Sequence, residues 1–514
     1  MAERAWFLSA VSRFDRLAWV DAAVMRRSAP CPSIIAPDIA DEAPCGAARY
    51  GSTAKGEVVT GGRCANRIDI HIFIHSSIHP VTRHSDAIRL LLAKGPMAAR
   101  QIVENIGVSQ PTVSRALAAL GEEIVRIASG ASIRYALRDS SRGFASVPIF
   151  RVSEEGRIRE LGALLPVRPG GFVMMQADGV TLHSDGLPWW LFDMRPQGYL
   201  GRAYASTHPA GLGLPANPEH WSDTEVLRAL LAHGHDAIGN LLVGGLARDR
   251  FIGMPTPSPV NRPVDYPRLA RAASAGESPG SSAGGEQPKF SAYTESGHVL
   301  VKFSAPDDNP VSERWRDLLL AEHLALSVLG IESGVFDFGD QRFLEVPRFD
   351  RVGELGRVGV FSLRALEAEF VGDASAPWPL LVRRLAADGH VHADAVAGAA
   401  LLWAFGTLIG NTDMHAGNLS FVSHHGRPYQ LAPAYDVLPM GFAPRGGGAI
   451  IDTLAPASLT ASVDGDTWRE ALRLAETYVD LLVASGRFSG SFSPCLGAIR
   501  RHIDEAASRI ARLA

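Results

Sequence analysis

Apolar and polar residues alternate along the second half of the chain in patterns that predict both strands and helices. The apolar run AVAGAALLWAFGTLIG at 395–410 has helical spacing and predicts a helix buried in a core. VLVKFS at 299–304 is rich in β-branched residues and predicts a strand, whereas LLLAEHLALSVLGI at 318–331 predicts a helix. Segments 466–486 and 496–514 are amphipathic with helical spacing and predict an α-rich C-terminal lobe. The predicted fold class is therefore α+β.

The first half contains the pattern of a winged helix-turn-helix between residues 84 and 138. One helix is followed by a second from Ala98 to Ile106, by a turn at Gly107, and by a third helix that Ser109 opens. IVRIA and IRYAL, joined by SGAS, then predict the hairpin of a wing. The string VSQPTVSRAL in the third helix is similar to the recognition helices of bacterial regulators, which favours contact with DNA. A protein-interaction or dimerisation module is the alternative.

The DNA contacts predicted for this module fall into two groups. Four residues are expected on the exposed face of the recognition helix, where they would meet base edges: Gln110, Thr112, Ser114 and Arg115. Three arginines of the wing are expected to meet phosphates, which positions a module without carrying sequence information: Arg126, Arg134 and Arg138.

Composition limits the remaining possibilities. At 514 residues and 46% hydrophobic content the chain is long enough for two or three domains. Its net charge of −4 excludes a DNA coat over the whole chain, so any nucleic-acid contact must be local to the winged helix. The four cysteines lack C-x-x-C spacing, and no apolar run reaches the roughly 18–20 residues of a membrane span. We therefore expect a cytoplasmic protein without a membrane partner.

Residues 1–83 match no pattern and are expected to be a disordered extension or a wrongly assigned start. His71, His75 and His79 would share one face of a strand, but they have no acidic or cysteine partner nearby, which argues against a metal site. A second segment, 263–280, is expected to be a flexible linker into the Gly-rich stretch that follows it.

The chemistry of the chain is concentrated in NTDMHAGNLSF at 411–421 and LAPAYDVLP at 431–439. An Asp, an Asn five residues later and a second Asp beside an apolar strand form the grouping that phosphoryl transfer from Mg-ATP requires. This assigns Asp413 as the base and Asn418 and Asp436 as magnesium ligands. Taken alone, D-x-x-x-x-N is also common in polar loops that cap helices.

Upstream residues support the phosphoryl-transfer interpretation. SSAGGEQPKF at 281–290 is Gly-rich, and its backbone amides near Gly284, Gly285 and Gln287 could approach phosphate oxygens closely. Lys302 on the following strand could reach the phosphates as a point charge. The loop lacks the G-K-[ST] ending of a Walker A motif, so a P-loop NTPase is not predicted. A Gly-rich linker is the alternative for this loop in isolation.

Residues 281–439 resemble the HipA family of bacterial serine/threonine kinases, the toxin components of toxin–antitoxin pairs. The family's T-D-x-H-x-x-N-x-S loop and its Y-D magnesium motif are both present, as residues 412–420 and as Tyr435–Asp436. FLEVPRFDR at 343–351 is similar to the family's hinge strand, which implies that Glu345 and the backbone near Val346 meet the adenine. The resemblance also implies autophosphorylation at Ser281 or Ser282 that switches the enzyme off.

Residues 187–205 and 233–245 resemble the small N-terminal subdomain of the same family, and the added winged helix resembles its YjjJ branch. The resemblance thus implies a bilobal, kinase-type fold behind the winged helix. The expected division is an unassigned extension at 1–83, the winged helix-turn-helix at 84–140, the N-terminal subdomain at 148–262, the linker at 263–280, and the kinase core with its C-lobe at 281–510.

Three functions follow as hypotheses. The leading one is a HipA-like protein kinase that uses ATP and Mg²⁺ and carries a fused DNA-binding module. In it Lys302 holds phosphates, Asp413 orients the target hydroxyl, and His415 supports the catalytic loop by hydrogen bonding. The alternatives are a DNA-binding regulator with an inactive kinase body and a small-molecule kinase. The resemblance implies translation-related protein targets and an antitoxin partner, and the fused module leaves open whether a separate antitoxin exists.

Overall fold

The computed structural model describes residues 80–129, 132–207, 209–275, 287–424 and 426–513. Most of the predicted extension at 1–83, with its three histidines, lies outside the described residues. The same is true of Ser281, Ser282, Gly284 and Gly285 in the predicted phosphate-binding loop.

Residues 80–137 form a winged helix-turn-helix, as predicted. Its elements are α1 (Pro80–Leu92), β1 (Met97–Ala98), α2 (Ala99–Ile106), α3 (Gln110–Leu120), β2 (Ile124–Ser129) and β3 (Ser132–Leu137), with the strands in the order β1–β3–β2. Gly107 ends α2 with a left-handed φ of 72°, which turns the chain sharply into α3. The helices pack through buried Ile88, Ile102 and Leu117. This arrangement leaves the outer face of α3 open.

The middle domain is a five-stranded antiparallel sheet with helices packed against it. The strands, in the order β7–β6–β5–β4–β8, are β4 (Val147–Val152), β5 (Ile158–Pro166), β6 (Phe172–Gln176), β7 (Thr181–Ser184) and β8 (Leu241–Val243). The helices are α4 (Gly198–Thr207), α5 (Pro209–Leu212), α6 (Asp223–His233) and α7 (Gly245–Ile252). Trp190 and Trp221 are buried in its core.

The wing docks directly on this middle sheet. Ile127 of β2 is buried together with Leu165 and Val173 of the middle domain. The Ala128 N–H donates a hydrogen bond of 2.8 Å to Thr181 Oγ1 on β7. The winged helix and the middle domain therefore share a packed interface.

A four-stranded antiparallel sheet and two helices follow. They are α8 (Arg262–Ser274), β9 (Lys289–Thr294), β10 (Gly297–Phe303), α9 (Pro310–Val328), β11 (Gly334–Phe338) and β12 (Gln341–Pro347), with the strands in the order β11–β12–β10–β9. Helix α8 corrects the predicted linker, because residues 263–274 are helical. Tyr266, Ala270 and Ala273 lie at i, i+4 and i+7, and all three are buried against the sheet. Residues 276–280 of that linker lie outside the described residues.

The rest of the chain is mostly helical. It contains β13 (Arg351–Val352), β14 (Gly356–Arg357), β15 (Gly359–Ser362), α10 (Leu363–Phe370), α11 (Trp378–Ala387), α12 (Asp394–Leu408), β16 (Ser420–Ser423), β17 (Gln430–Leu431), α13 (Gly465–Ala484) and α14 (Ser493–Ile510). Helices α12, α13 and α14 enclose an apolar core that includes Phe405, Trp468 and Ile499. The predicted α-rich C-lobe and the α+β class are confirmed. Among the described helices, none has both the length and the apolar character that crossing a membrane requires.

Charged side chains join the middle domain to the segment RFDR at 348–351. Arg351 binds Asp236 of the middle domain at 2.8 Å and Asp350 at 2.6 Å. The Gly239 N–H donates a 3.0 Å hydrogen bond to Asp350 Oδ2. Burial alone would raise the pKa of Asp236, but nearby guanidinium groups, led by that of Arg351, hold it at about 2. This ion cluster fixes the middle domain beside the segment that follows β12.

Candidate active site and DNA-contacting surface

Lys302 lies on the side of strand β10 that faces away from the apolar core of its sheet. Side chains alternate along a strand, so Val301 and Phe303 enter that core and Lys302 points to the opposite side. There its ammonium donates to Glu322 Oε1 of α9 at 2.5 Å and to Asp436 Oδ1. The structure thus brings together the predicted Lys302 and Asp436 and adds Glu322 between them. Lys302 and Glu322 are almost fully buried.

The charges in this group support one another. Burial opposes protonation of Lys302, yet the carboxylates of Asp436 and Glu322 outweigh it and raise the pKa of the ammonium. Burial likewise opposes ionisation of Asp436, but Lys302 and then Lys289 hold its pKa below the usual value. For Glu322 burial prevails, and its pKa is raised despite the contact with Lys302. Lys302 is therefore a cation, and Asp436 an anion, at neutral pH.

Asp436 has a backbone conformation that side chains rarely adopt. Its φ is 55°, and within the described ranges it is the one non-glycine residue with positive φ. Two hydrogen bonds hold it there: its N–H donates to Glu322 Oε1 at 3.2 Å, and its carbonyl accepts from Asn411 Nδ2 at 3.3 Å. Strained conformations of this kind persist where the surroundings fix a functional side chain.

The catalytic loop that the sequence predicts is held mainly by its own polar groups. Asn418 Nδ2 donates to the Asp413 carbonyl at 2.8 Å, and the Asp413 N–H donates to Asn411 Oδ1 at 3.0 Å. His415 Nδ1 accepts from the Gly417 N–H at 3.0 Å, and its Nε2 lies 3.9 Å from Asp413 Oδ1. The carboxylate of Asp413 is half exposed, so a substrate hydroxyl could reach it. His415 thus accepts a hydrogen bond within the loop, and its supporting role in catalysis stays a prediction.

Tyr435 connects this loop to Asp436. Its hydroxyl donates to the Gly417 carbonyl at 2.9 Å and lies 2.6 Å from Ser420 Oγ. Burial raises the pKa of this phenol, so it stays neutral and can act as a hydrogen-bond donor. The Tyr435–Asp436 pair thereby fixes the loop and the acidic side chain relative to each other.

The residues present fit a hard divalent cation. Asn418 uses its amide nitrogen for the Asp413 carbonyl, which leaves Oδ1 as an acceptor, and Asp436 has one carboxylate oxygen that does not face Lys302. Mg²⁺ is usually bound by one or two protein oxygens together with phosphate and water. No cluster of three His, Cys, Asp or Glu side chains suited to a metal occurs in the described part of the chain.

The other described residues predicted to contact the nucleotide are Gln287, Glu345 and Val346, and their surroundings differ. Gln287 is half-buried, and its Nε2 has no hydrogen-bond partner among the described residues. The Glu345 carboxylate is bound by Arg262 at 2.7 Å and by the Tyr266 hydroxyl, so it anchors α8. Both carboxylate oxygens of Glu345 are thus engaged within the protein, and an adenine contact by this residue stays a prediction. The backbone contact near Val346 stays a prediction.

Lys289 is a residue of the site that the sequence analysis missed. It is buried, and it pairs with Lys302 across strands β9 and β10, so the two side chains share a face of the sheet. Its charge acts on both Glu322 and Asp436. The available signal was its position near the end of the Gly-rich segment 281–290, but the pairing of β9 with β10 was needed to place it in the site.

The winged helix presents most of the predicted DNA contacts. Gln110, Ser114 and Arg115 are exposed on α3, and Arg126 is exposed on β2. Thr112 is half-buried, and its hydroxyl lies 3.0 Å from Ser109 Oγ, which makes it part of the start of the helix. These placements keep a basic and polar face available to a duplex.

Arg134 departs from the prediction. It lies opposite Ile127 in the wing, on the face that packs against the middle domain. The pKa of His183 on β7 is lowered, first by burial and then by the charge of Arg134, whereas Asp185 acts to raise it. The domain interface therefore explains its position better than a phosphate contact does.

Comparisons with known proteins give similarities over three parts of the chain. The matching families are the bacterial regulatory proteins of the arsR family over residues 88–123, the YjjJ-like toxin middle domain over 144–252, and the HipA-like C-terminal domain over 281–510. Toxin YjjJ of Escherichia coli (strain K12) is 38% identical over 440 residues, which cover 82% of this chain and 98% of that protein.

Two solved structures are also similar, at low identity. One is from the Shewanella oneidensis MR-1 toxin–antitoxin complex of HipA, HipB and operator DNA, with 15% identity, a TM-score of 0.40, and coverage of 71% of this chain and 97% of that one. The other is the Helicobacter pylori proinflammatory kinase CtkA, with 13% identity, a TM-score of 0.33, and coverage of 44% and 92%.

Proposed function

Because the chain belongs to the HipA family, as a YjjJ-like member with an N-terminal helix-turn-helix, we propose that it is an ATP-dependent serine/threonine protein kinase. The observation that carries this proposal is the contact of Lys302 with both Glu322 and Asp436. A strand lysine paired with a helix carboxylate, beside a metal-binding aspartate, is the arrangement that protein kinases need for phosphoryl transfer. The similarity to a protein named as a toxin extends the proposal to a toxin of the toxin–antitoxin type.

Each residue has a role in the proposed transfer. Lys302, assisted by Lys289, would hold phosphate oxygens, and Gln287 would donate its free amide hydrogens to them. Bound Mg²⁺, held by Asn418 and Asp436, would neutralise the phosphate charge. Asp413 would accept the hydroxyl proton as the substrate oxygen bonds to the γ-phosphorus and the bond to the bridging oxygen of ADP breaks. The products are a phosphorylated protein and ADP.

The winged helix adds a second activity to the proposal. The exposed face of α3 and the similarity to arsR-type regulators support DNA binding by residues such as Arg115. A regulator with an inactive kinase body is less well supported, because the paired lysine, both acidic residues and the asparagine are all present. A small-molecule kinase would use the same catalytic group, so the choice of a protein substrate rests on the family. The proposed partners are therefore DNA, a translation-related protein substrate and an antitoxin.

Transfer of labelled γ-phosphate from Mg-ATP to the purified protein tests the kinase proposal. The protein is first treated with phosphatase, and wild type is compared with Asp413→Asn and with the control Asp388→Asn, whose carboxylate is exposed at the end of α11. We expect label on Ser281 or Ser282 in wild type and control, and none in Asp413→Asn. Folded, dephosphorylated wild type that labels neither itself nor a peptide substrate would overturn the proposal and leave the DNA-binding regulator or the small-molecule kinase.

A further inference from the structure

A cavity of about 390 Å³ opens beside the catalytic loop on the C-lobe. We call it the loop pocket and define it by its lining residues, which are Ala374, Ser375, Ala376, Pro377, Trp378, Trp403, Met414, His415, Ala416 and Thr460. Met414, His415 and Ala416 lie between the predicted base Asp413 and the predicted metal ligand Asn418. One wall of the cavity is therefore the segment that would present the catalytic groups.

The remaining lining residues include packed aromatic and small side chains. Trp378 at the start of α11 and Trp403 on α12 meet edge to face, with ring centroids 5.6 Å apart at 69°. Gly406, one turn after Trp403, leaves room for Met414, because a Cβ there would lie 2.6 Å from Met414 Sδ. Thr460 is held in place by Ser462, with the two hydroxyl oxygens 3.0 Å apart. The cavity is thus a built feature of the lobe.

The lining selects the chemistry of what can enter. Apart from His415 and the hydroxyls of Ser375 and Thr460, its lining side chains are apolar, being those of alanine, proline, tryptophan and methionine. A triphosphate needs the cations Lys289 and Lys302, which the loop pocket does not include. Its volume is near the lower end of the ~300–1,000 Å³ found for ligand sites. An uncharged, apolar group of side-chain size is the best match.

We propose that the loop pocket receives a large apolar side chain of the protein substrate, close in sequence to the serine or threonine that is phosphorylated. This inference rests on the proposed kinase function and adds the local sequence that the kinase would select. The pocket shares the catalytic loop with Asp413, so a side chain seated in it would hold the neighbouring hydroxyl near that carboxylate. Transfer then proceeds as proposed, with the proton passing to Asp413 and ADP leaving.

Peptide libraries test the proposal. Each peptide has one central serine, and one flanking position at a time is fixed as Leu, Met, Phe, Ala, Lys or Glu, with labelled ATP as the phosphate donor. We expect the full-length wild type to prefer the large apolar residues at one position near the serine. Replacing that residue by Ala should lower kcat/KM by at least roughly ten- to two-hundredfold, the range for losing one methylene group in an apolar pocket.

Two matched variants link that preference to the cavity. Ala374 is exposed at the pocket edge, so Ala374→Trp adds a large ring there without entering the core, whereas Ala387→Trp adds the same ring at an exposed site at the far end of α11. We expect Ala374→Trp to remove the apolar preference and Ala387→Trp to keep it. Thermal unfolding shows whether each variant remains folded. If Ala374→Trp does not fold, Ser375→Trp replaces it as the pocket variant.

The outcomes separate this inference from the kinase proposal. Wild type that labels itself but shows no apolar preference, or transfers no phosphate to any peptide, overturns the loop pocket as a substrate site. A folded Ala374→Trp variant with the wild-type preference also overturns it. Wild type that labels neither itself nor any peptide overturns the kinase proposal instead.

Discussion

Lys302 donates a hydrogen bond to Asp436 although 134 residues separate them in the sequence. Lys302 belongs to the four-stranded sheet, whereas Asp436 follows the small sheet of the C-lobe. The contact therefore joins the two halves of the proposed catalytic cleft through a pair of opposite charges, of which Lys302 is buried and Asp436 is partly exposed. Glu322 strengthens the connection, because one of its oxygens accepts from both the Lys302 ammonium and the Asp436 backbone N–H.

Replacing Asp436 by Asn should nearly abolish phosphoryl transfer while the protein stays folded. The substitution removes a charge that would bind Mg²⁺, and the loss of one preorganised electrostatic group lowers turnover by roughly 10²–10³-fold. Asn tolerates the left-handed backbone conformation at least as well as Asp, so the φ of 55° can be kept. Turnover with labelled ATP, together with thermal unfolding, measures both effects. Wild-type turnover in this variant would remove Asp436 from the site.

Glu322→Gln should weaken nucleotide binding because Lys302 would be positioned by Asp436 alone. The glutamine keeps an oxygen for the Asp436 N–H but loses the charge that raises the pKa of Lys302. We expect the KM for ATP to rise by about tenfold, the effect of roughly 1.4 kcal/mol. Glu313→Gln on the same helix, where the carboxylate accepts from Ser491, is the control. A fall in stability with an unchanged KM would mean that Glu322 has a structural role only.

Arg115→Ala and Arg126→Ala should change DNA binding in different ways. Arg115 is exposed on the recognition helix, so its loss should cost about 1–3 kcal/mol on a cognate duplex and relax the sequence preference. Arg126 is exposed on the wing, so its loss should weaken all duplexes similarly and lower the slope of log K against log salt by about 1. Titrations of selected and random duplexes at several salt concentrations measure both. If no duplex shows salt-sensitive binding, a protein-interaction role for the module is favoured.

Arg134→Ala provides the contrast within the same hairpin. Its side chain faces the middle domain beside His183, so we expect no change in the salt dependence of DNA binding. A reduced slope, equal to that of Arg126→Ala, would show that the arginine reaches phosphate after all.

The parts of the site that the sequence predicts are those carried by short segments. Asp413 and Asn418 are five residues apart, so one loop places both, and the apolar helix before them was recognisable from its composition. Asp436 was found because it follows an apolar strand. The place of Lys289 in the site could not be predicted from the sequence, because it depends on the register of β9 with β10. The contact of Lys302 with Glu322 could not be predicted either, because it depends on how α9 packs against the sheet.

The incorrect linker prediction has a different physical cause. Helix α8 contains Pro263 and Pro267 and buries two alanines, so it shows neither the large apolar stripe nor the uninterrupted composition that indicates a helix. It is stabilised from outside, through Tyr266 in the core and through the Arg262 contact with Glu345. Long-range contacts could not be predicted from the sequence either. Ser362 Oγ donates a 2.6 Å hydrogen bond to Asp193 Oδ1, although the two residues lie in different domains.

Acid should weaken the junction between the middle domain and segment 348–351, because it protonates Asp236. The pKa of Asp236 is about 2 in the folded protein, below its ordinary 3.8, because Arg351 and its neighbours favour the ionised form. A carboxylate with a depressed pKa contributes its full stabilisation above its unfolded pKa and loses it as the pH falls towards the folded value. The contribution of Asp236 at neutral pH is therefore roughly 2 kcal/mol, and it disappears between about pH 4 and pH 2.

Asp236→Asn should accordingly be less stable than wild type at pH 7, and the difference should shrink as the pH falls through that interval. Asp249→Asn, which removes an exposed carboxylate from the same domain, is the matched control and should follow wild type. Thermal midpoints measured at several pH values between 7 and 2.5 test this. A difference between Asp236→Asn and wild type that stays constant with pH would mean that packing, and not the charge on Asp236, holds the domains together.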